Sequence, residues 1–318
     1  MEAQQPAFGH ESLAFTKLSH SQWTDYFLSL PINDSELDVI TREMDILKPE
    51  VRELLSSQGD DETLKEKVLL IQLLLSLGLA FHFENEIRDI LKHVFQRIDD
   101  ITGDEKDLST ISIMFRVLRT YGHYMSSNVF KRFTKDDGKF EESLMADTKG
   151  ILGLYEAAHL GTKTDDMFDE ALRWDMPASI SRLIRNTLYL PQRWNMEAVV
   201  AREYILFYEK EEDHDKMILK LAKLSFKLLQ MHYIKELKTF IKWWMESDVT
   251  SKMPAQFREQ IVEAWLAGLM MYFEPQYSTG RVIAAKFNYL LTILDDACDD
   301  YFSIHEITRL VDCVESSK

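Results

Sequence analysis

An all-α chain is predicted by three observations. Apolar residues recur every three to four positions through nearly every segment, sustained strand alternation is absent, and the breaks fall at Pro, Gly and Asp/Asn clusters. Trp23 to Leu30 (WTDYFLSL) is an aromatic opening that Pro31 ends. Asn33-Asp34-Ser35 is an N-cap signal for a helix from Glu36 to about Ser56, with Leu37, Ile40, Met44, Leu47, Val51, Leu54 and Leu55 on one face. Pro49 lies inside that run and predicts a kink or break. After a loop at Gln58-Gly59-Asp60-Asp61, Thr63 to Leu77 is apolar almost all round, as in a helix buried on most sides.

The rhythm continues in Glu84–Asp99 and Leu108–Tyr121. A turn at Asp136-Asp137-Gly138 precedes Phe140–Leu160, read as one helix. Shorter helices are expected over Asp165–Met176 and Ser179–Leu188, then longer ones over Asn195–Lys210 and Lys216–Met245. Charged Glu209-Lys210-Glu211-Glu212-Asp213 carries no core positions and reads as a linker. The expected organisation is therefore a tail over 1–20, one domain over 21–210 and a second over 211–318.

Composition narrows the function. At 318 residues, with 46% hydrophobic and 28% charged side chains, the chain reads as a soluble globular protein. A net charge of −16 argues against nucleic acid or an anionic membrane as main partner. The most apolar stretch, Val68 to Leu79, is too short to span a bilayer. Cys298 and Cys313 are too few for a disulfide framework, and the N-terminus, with Glu2 and Glu11 and no Arg before Trp23, does not read as a transit peptide. A cytoplasmic location is expected.

The stretch that carries chemistry is FNYLLTILDDACDDY, Phe287 to Tyr301, where an apolar run feeds into Asp295, Asp296 and Asp299. On a helix Asp295 and Asp299 stand one turn apart with Asp296 beside them. They repel each other and lie near the end of the apolar run, where the helix dipole is negative. A hard divalent cation removes both problems, and a few oxygen ligands open on one side suit Mg²⁺ shared with a substrate's phosphates. A solvated acidic helix end is the plain alternative. Asp165-Asp166-Met167-Phe168-Asp169 has the same spacing but follows Gly161-Thr162-Lys163-Thr164, and reads as capping acids in a helix's first turn. His82, Glu84 and Glu86 are close in sequence, yet a surface or satisfied histidine accounts for them better than a ligand set.

Several ordered segments resemble the plant terpene synthase family. They include ILKPEVRELL, LLLSLGLAFHFENEI, DLSTISIMFRVLRTYGHYMS, GKFEESLMADTKGILGLYEAAHL, LPQRWNMEAVVAREYI and YFEPQYSTGRVIAAKFNYLLTILDDACDDY, between about Leu18 and Glu315. The resemblance implies an N-terminal α-barrel followed by the first helices of a class I terpenoid synthase α-domain. It also implies Mg²⁺ (or Mn²⁺) on Asp295, Asp296 and Asp299, a prenyl diphosphate as substrate with farnesyl diphosphate favoured, and a pocket lined by Asn288 and Leu291. The metal acts there as Lewis acid and template, and water is shut out.

Three departures from the family pattern follow. Of its Arg-x-Arg pair, which receives the diphosphate, Arg258 is present but the second position is Gln260. The family's pocket Trp falls on Ala267, with Trp265 two residues away. The second metal motif, (N/D)Dxx(S/T)xxxE, has no counterpart: the nearest internal match, Asp299-Asp300 with Ser303, puts Ile307 where Glu belongs. The expectation is a chain cut short at its C-terminus and inactive alone. The alternative is a non-catalytic helical fragment that associates with a full-length relative through exposed apolar helix faces, or is degraded.

Overall fold

The computed structural model describes residues 20–56, 60–136, 138–165, 167–168, 196–249, 251 and 259–316. It is all-α: the described residues hold helices and one isolated antiparallel bridge, Thr134 to Phe140. None of the described helices is long and apolar enough to cross a membrane. Close contacts divide the chain into two units, one over Asn33–Met231 and one formed by the N-terminal stretch to Ile32 with His232–Lys318.

The first unit opens with α1 (His20–Ser29) only as a neighbour in sequence, since that helix belongs to the other group. Its own first helix is α2 (Asp34–Ser56), started where the Asn33 side-chain oxygen accepts the Ser35 N–H at 3.1 Å. The helix runs through Pro49 without the expected break. Pro49 forfeits one backbone hydrogen bond, but Ile40 and Met44 before it and Val51 and Leu55 after it are all buried in one core, and that packing keeps both halves in one helix. In α3 (Asp61–Ser76), Asp60 caps the start by accepting the Thr63 N–H at 3.0 Å. Gly78 ends it with φ +67°, while Leu79 N–H reaches Leu74 O at 2.8 Å and Gly78 N–H reaches Leu75 O at 3.1 Å. A Cβ on Gly78 would also lie 2.8 Å from that of Ala201, so glycine serves both the turn and the packing.

The expected helix Glu84–Asp99 is two, α4 (Glu84–Gln96) and α5 (Ile98–Gly103). In α6 (Leu108–Thr120), Asp107 caps by accepting Thr110 N–H at 2.8 Å. The single helix expected over Phe140–Leu160 is instead a 3₁₀ turn, Glu142–Ala146, then α7 (Thr148–Ala158). Asp147 causes the restart: its carboxylate accepts the Gly150 N–H at 2.9 Å, making it an N-cap rather than a helix-interior residue. Most of the helices expected over Asp165–Met176 and all of Ser179–Leu188 lie outside the described residues. The unit is completed by α8 (Glu197–Tyr208) and the first part of α9 (Lys216–Glu246). Its core is continuous, with Phe115, Phe130 and Phe168 meeting edge to face at 5.3–5.4 Å.

The charged stretch before α9 is tied back to α8. The Tyr208 hydroxyl accepts the Asp215 N–H at 2.8 Å, and the two units part later, between Met231 and His232 within α9. The second unit joins α1 and the rest of α9 to α10 (Ile261–Met271), α11 (Ser278–Asp296) and α12 (Ile304–Ser316). Lys238 reaches back to the Leu30 carbonyl and so closes the end of α1.

Candidate metal centre

The aspartates sit at the end of α11, and the sequence dictates how that helix is seated. Arg281, Ala285, Tyr289 and Ile293 recur every four residues and are all buried. Tyr289 packs edge-on against Trp244 of α9, ring centroids 4.6 Å apart, and burial pushes its hydroxyl above the usual tyrosine range. Arg281 is fully buried. Its Nε donates to Glu236 Oε2 at 2.9 Å and its Nη2 to Glu236 Oε1 at 2.6 Å, while Nη1 donates to the carbonyls of Tyr272 and Glu274. Its guanidinium also lies 5.3 Å from the Tyr233 ring centre. Gly268 of α10 makes room: a Cβ there would stand 2.9 Å from the Arg281 carbonyl oxygen.

The opposite face of α11 is open. Ile283, Phe287, Leu290, Leu291 and Leu294 are all more than 40% exposed. Asp295 and Asp299 are exposed and Asp296 and Asn288 half-buried. Of the two expected pocket residues, Leu291 thus lies on the open face and Asn288 at its edge. Arg258 lies outside the described residues. Trp265 is buried and meets Tyr233 edge-on at 5.9 Å, so it does not stand on the open face in place of Ala267.

After Asp296 the helix widens. The segment Ala297–Tyr301 is a π-turn, closed by Phe302 N–H donating to Ala297 O at 2.7 Å, and Asp299 rides on it. An α-helical register between Asp295 and Asp299 is therefore not kept. Ser303, part of the incomplete second motif, is committed to starting α12: its hydroxyl donates to Glu306 at 2.7 Å in a capping box.

Among the described residues, no three His, Cys, Asp or Glu side chains are gathered closely enough to enclose a metal ion. The donor chemistry nevertheless fits one. Among the described residues, none gives the side chains of Asp295, Asp296 and Asp299 a hydrogen bond or ion pair, and no basic residue stands in the last turn of α11. Unpaired acids at the negative end of a helix favour a bound cation, and hard oxygens open to solvent suit one that keeps its waters. The other acidic candidates are spent elsewhere. Asp165 is the buried partner of Arg119, 2.7 Å away, and Asp166 and Asp169, with most of the helix these acids would cap, lie outside the described residues. His82 is satisfied by Ser225 at 2.9 Å, and Glu86 by Arg52 at 2.8 Å.

Sequence reading missed the Arg281–Glu236 pair. The available signal was an arginine on the same four-residue repeat as Ala285, Tyr289 and Ile293, facing a helix whose other charges are mostly lysines.

An all-α fold with an aspartate-ended helix of this kind defines a class. Residues 22–179 match the model of the terpene synthase N-terminal domain and residues 245–317 that of the terpene synthase family metal-binding domain, and the chain belongs to the terpene synthase family. Among its relatives, (Z)-gamma-bisabolene synthase 1 of Arabidopsis thaliana is 77% identical over 98% of this chain and 58% of its own length. Alpha-barbatene synthase of the same plant is 54% identical over 97% of this chain and 58% of its own length. The chain thus spans a little over half the length of the curated relatives it matches. Isoprene synthase from grey poplar, solved with three Mg²⁺ ions and dimethylallyl-S-thiolodiphosphate, superposes with a TM-score of 0.79 at 28% identity, covering 93% of this chain and 56% of that one. Limonene synthase with 2-fluorolinalyl diphosphate gives 0.81 at 27% identity, covering 92% and 56%.

Proposed function

We propose that the chain carries the aspartate cluster of a magnesium-dependent site for a prenyl diphosphate, farnesyl diphosphate above others, in a cytoplasmic terpenoid pathway. The observation that carries this reading is the set of three unpaired carboxylates, Asp295, Asp296 and Asp299, at the end of an apolar helix in a chain 77% identical to a (Z)-gamma-bisabolene synthase. Those three residues would hold Mg²⁺, which when bound supplies Lewis-acid charge to a diphosphate leaving group. Arg258 offers a guanidinium to the same phosphates, without a second one at Gln260. Leu291 and Asn288, one and two turns before Asp295, line the floor beside the prenyl chain.

The 318-residue polypeptide, taken as it stands, does not cyclise its substrate. The face that carries Leu291 and Leu294 is open to water, so a carbocation there is quenched rather than folded into a product. Incubation of the purified chain with Mg²⁺ and farnesyl or geranyl diphosphate, read by gas chromatography against a boiled control, tests both parts. Cyclic hydrocarbon above the control overturns the inactivity, and absence of Mg²⁺ or Mn²⁺ binding overturns the metal site.

A second reading is favoured by the same open face: a helical protein that associates with a full-length relative. Ile283, Phe287, Leu290, Leu291 and Leu294 together make an apolar strip of the kind that drives association. Gel filtration of the chain alone and mixed with such a relative separates the readings. A monomer that ignores the relative overturns this one.

A further inference from the structure

We propose that Arg281, clasped by Glu236, is the positioning residue of the aspartate helix. It fixes the rotation and axial height of α11 and thereby sets the cation affinity of Asp295, Asp296 and Asp299, four turns away. The inference rests on the metal reading given above.

The clasp joins three pieces of chain. Two guanidinium nitrogens fork onto Glu236 of α9 at 2.9 and 2.6 Å, and Nη1 donates to the Tyr272 and Glu274 carbonyls of the α10–α11 connection. The Tyr233 hydroxyl holds the carbonyl between them, that of Phe273, at 2.5 Å. Arg281 is wholly buried, its Cγ sits 3.3 Å from where a Cβ of Gly268 would be, and its Glu236 partner is 11% exposed. A planar fork with four directed bonds resists both rotation and sliding, which a lysine or an apolar contact does not.

Arg281 and Asp295 lie fourteen positions apart, about 21 Å along a helix. At 100° per residue, Asp295 projects only about 40° round the axis from Arg281. The direction in which Arg281 is held therefore dictates where Asp295 points. The residues between them on the buried side, Ala285, Tyr289 and Ile293, are apolar or aromatic and supply packing rather than a charged fork. Arg281 adds directed bonds that specify the angle. A slip of one residue position would swing Asp295 by about 100°, from the border of the open face into the packed one or out to the middle of the open one.

The test measures Mn²⁺ binding to the 318-residue chain by the loss of the free-ion electron paramagnetic resonance signal, with helix content followed by circular dichroism. Four variants are compared with wild type: Arg281→Lys, the paired Arg281→Met with Glu236→Met, Asp295→Asn, and Phe130→Ala, which lowers stability in the other unit. The paired variant leaves no uncompensated buried charge. The expected result is retained helix content with at least a ten-fold weaker Mn²⁺ affinity in the paired variant, a smaller loss in Arg281→Lys, and wild-type affinity in Phe130→Ala. Wild-type affinity in a folded paired variant overturns the inference. Should that variant fail to fold, Arg281→Lys decides: folded with wild-type affinity, it overturns the inference equally. A wild-type chain that leaves millimolar Mn²⁺ free overturns the metal reading itself, and positioning with it.

Discussion

Arg119 and Asp165 form a buried two-pronged ion pair, with Nη1 donating to Oδ2 at 2.7 Å and Nη2 to Oδ1 at 3.2 Å. The arginine also donates to the carbonyls of Met125 and Leu160, and its guanidinium lies between the rings of Phe115 and Tyr124, 4.0 and 4.3 Å from their centres. Both side chains are at most 5% exposed. Burial by itself raises the Asp165 carboxyl, but hydrogen bonds from Arg119, Ser127 and Thr162 outweigh it and hold the group well below the usual carboxylate range. Removing one member leaves the other charged and alone in the core. Asp165→Asn is expected to destabilise the protein by about 3–5 kcal/mol, read from urea unfolding at neutral pH. Because the folded value is depressed, the stabilisation is present above about pH 4 and is lost as pH falls below it, towards the folded value.

The histidine two residues before α4 gives a second pH signature. Burial first, then the nearby charges of Lys48 and Arg52, push His82 down to about 3, so it stays neutral in the fold. Its Nε2 lies 2.9 Å from the Ser225 hydroxyl. The unfolded chain takes up a proton near pH 6.5 and the folded chain does not, so stability is full above about pH 6.5 and declines as pH falls towards 3. The slope from this one group approaches about 1.4 kcal/mol per pH unit. His82→Gln keeps a hydrogen-bonding side chain without the titration. Its unfolding midpoint, followed between pH 4 and 6.5, is expected to fall less steeply than that of wild type.

These two sites show where sequence reading runs out. Helix faces were legible because periodicity is local: Leu37, Ile40 and Met44 declare the buried side of α2, and Ile87, Ile90, Leu91 and Val94 that of α4. Asn33 was legible as a helix start for the same reason. The restart at Asp147 was not, because Phe140 to Leu160 is apolar enough to read as one helix and a single cap decides otherwise. Continuity through Pro49 depends on partners from distant helices, which no window of sequence contains. At the candidate site the three aspartates were legible from spacing alone. The π-turn beneath Asp299, the clasp on Arg281 and the burial of Trp265 were not, since each depends on what the neighbouring helices present.

Gly268 offers a packing test in the second unit. A methyl group there would meet the Arg281 carbonyl oxygen at 2.9 Å, and backbone at that distance yields only if α10 and α11 separate. Gly268→Ala is expected to cost about 1–3 kcal/mol despite its better helix propensity. Thermal unfolding measures it; an unchanged or raised midpoint would show that the two helices are not in close register.

Asp295→Asn is expected to move stability and binding in opposite directions. The carboxylate is exposed, unpaired, next to Asp296 and in the last turn of α11, where the helix end is negative. Removing its charge without changing its shape should stabilise the metal-free chain by about 0.3–1 kcal/mol. The same change takes one of three hard oxygen donors from the candidate metal set, so the rise in unfolding temperature that Mg²⁺ or Mn²⁺ gives the wild type should shrink or vanish. Two thermal melts of each protein, with and without the cation, separate the terms. Leu291→Gln on the same open face serves as the control. It removes apolar surface but no ligand, so it should keep the metal-induced rise while reducing self-association in gel filtration. If Asp295→Asn and wild type respond alike to the cation, the acids at the end of α11 are a solvated helix terminus and nothing more.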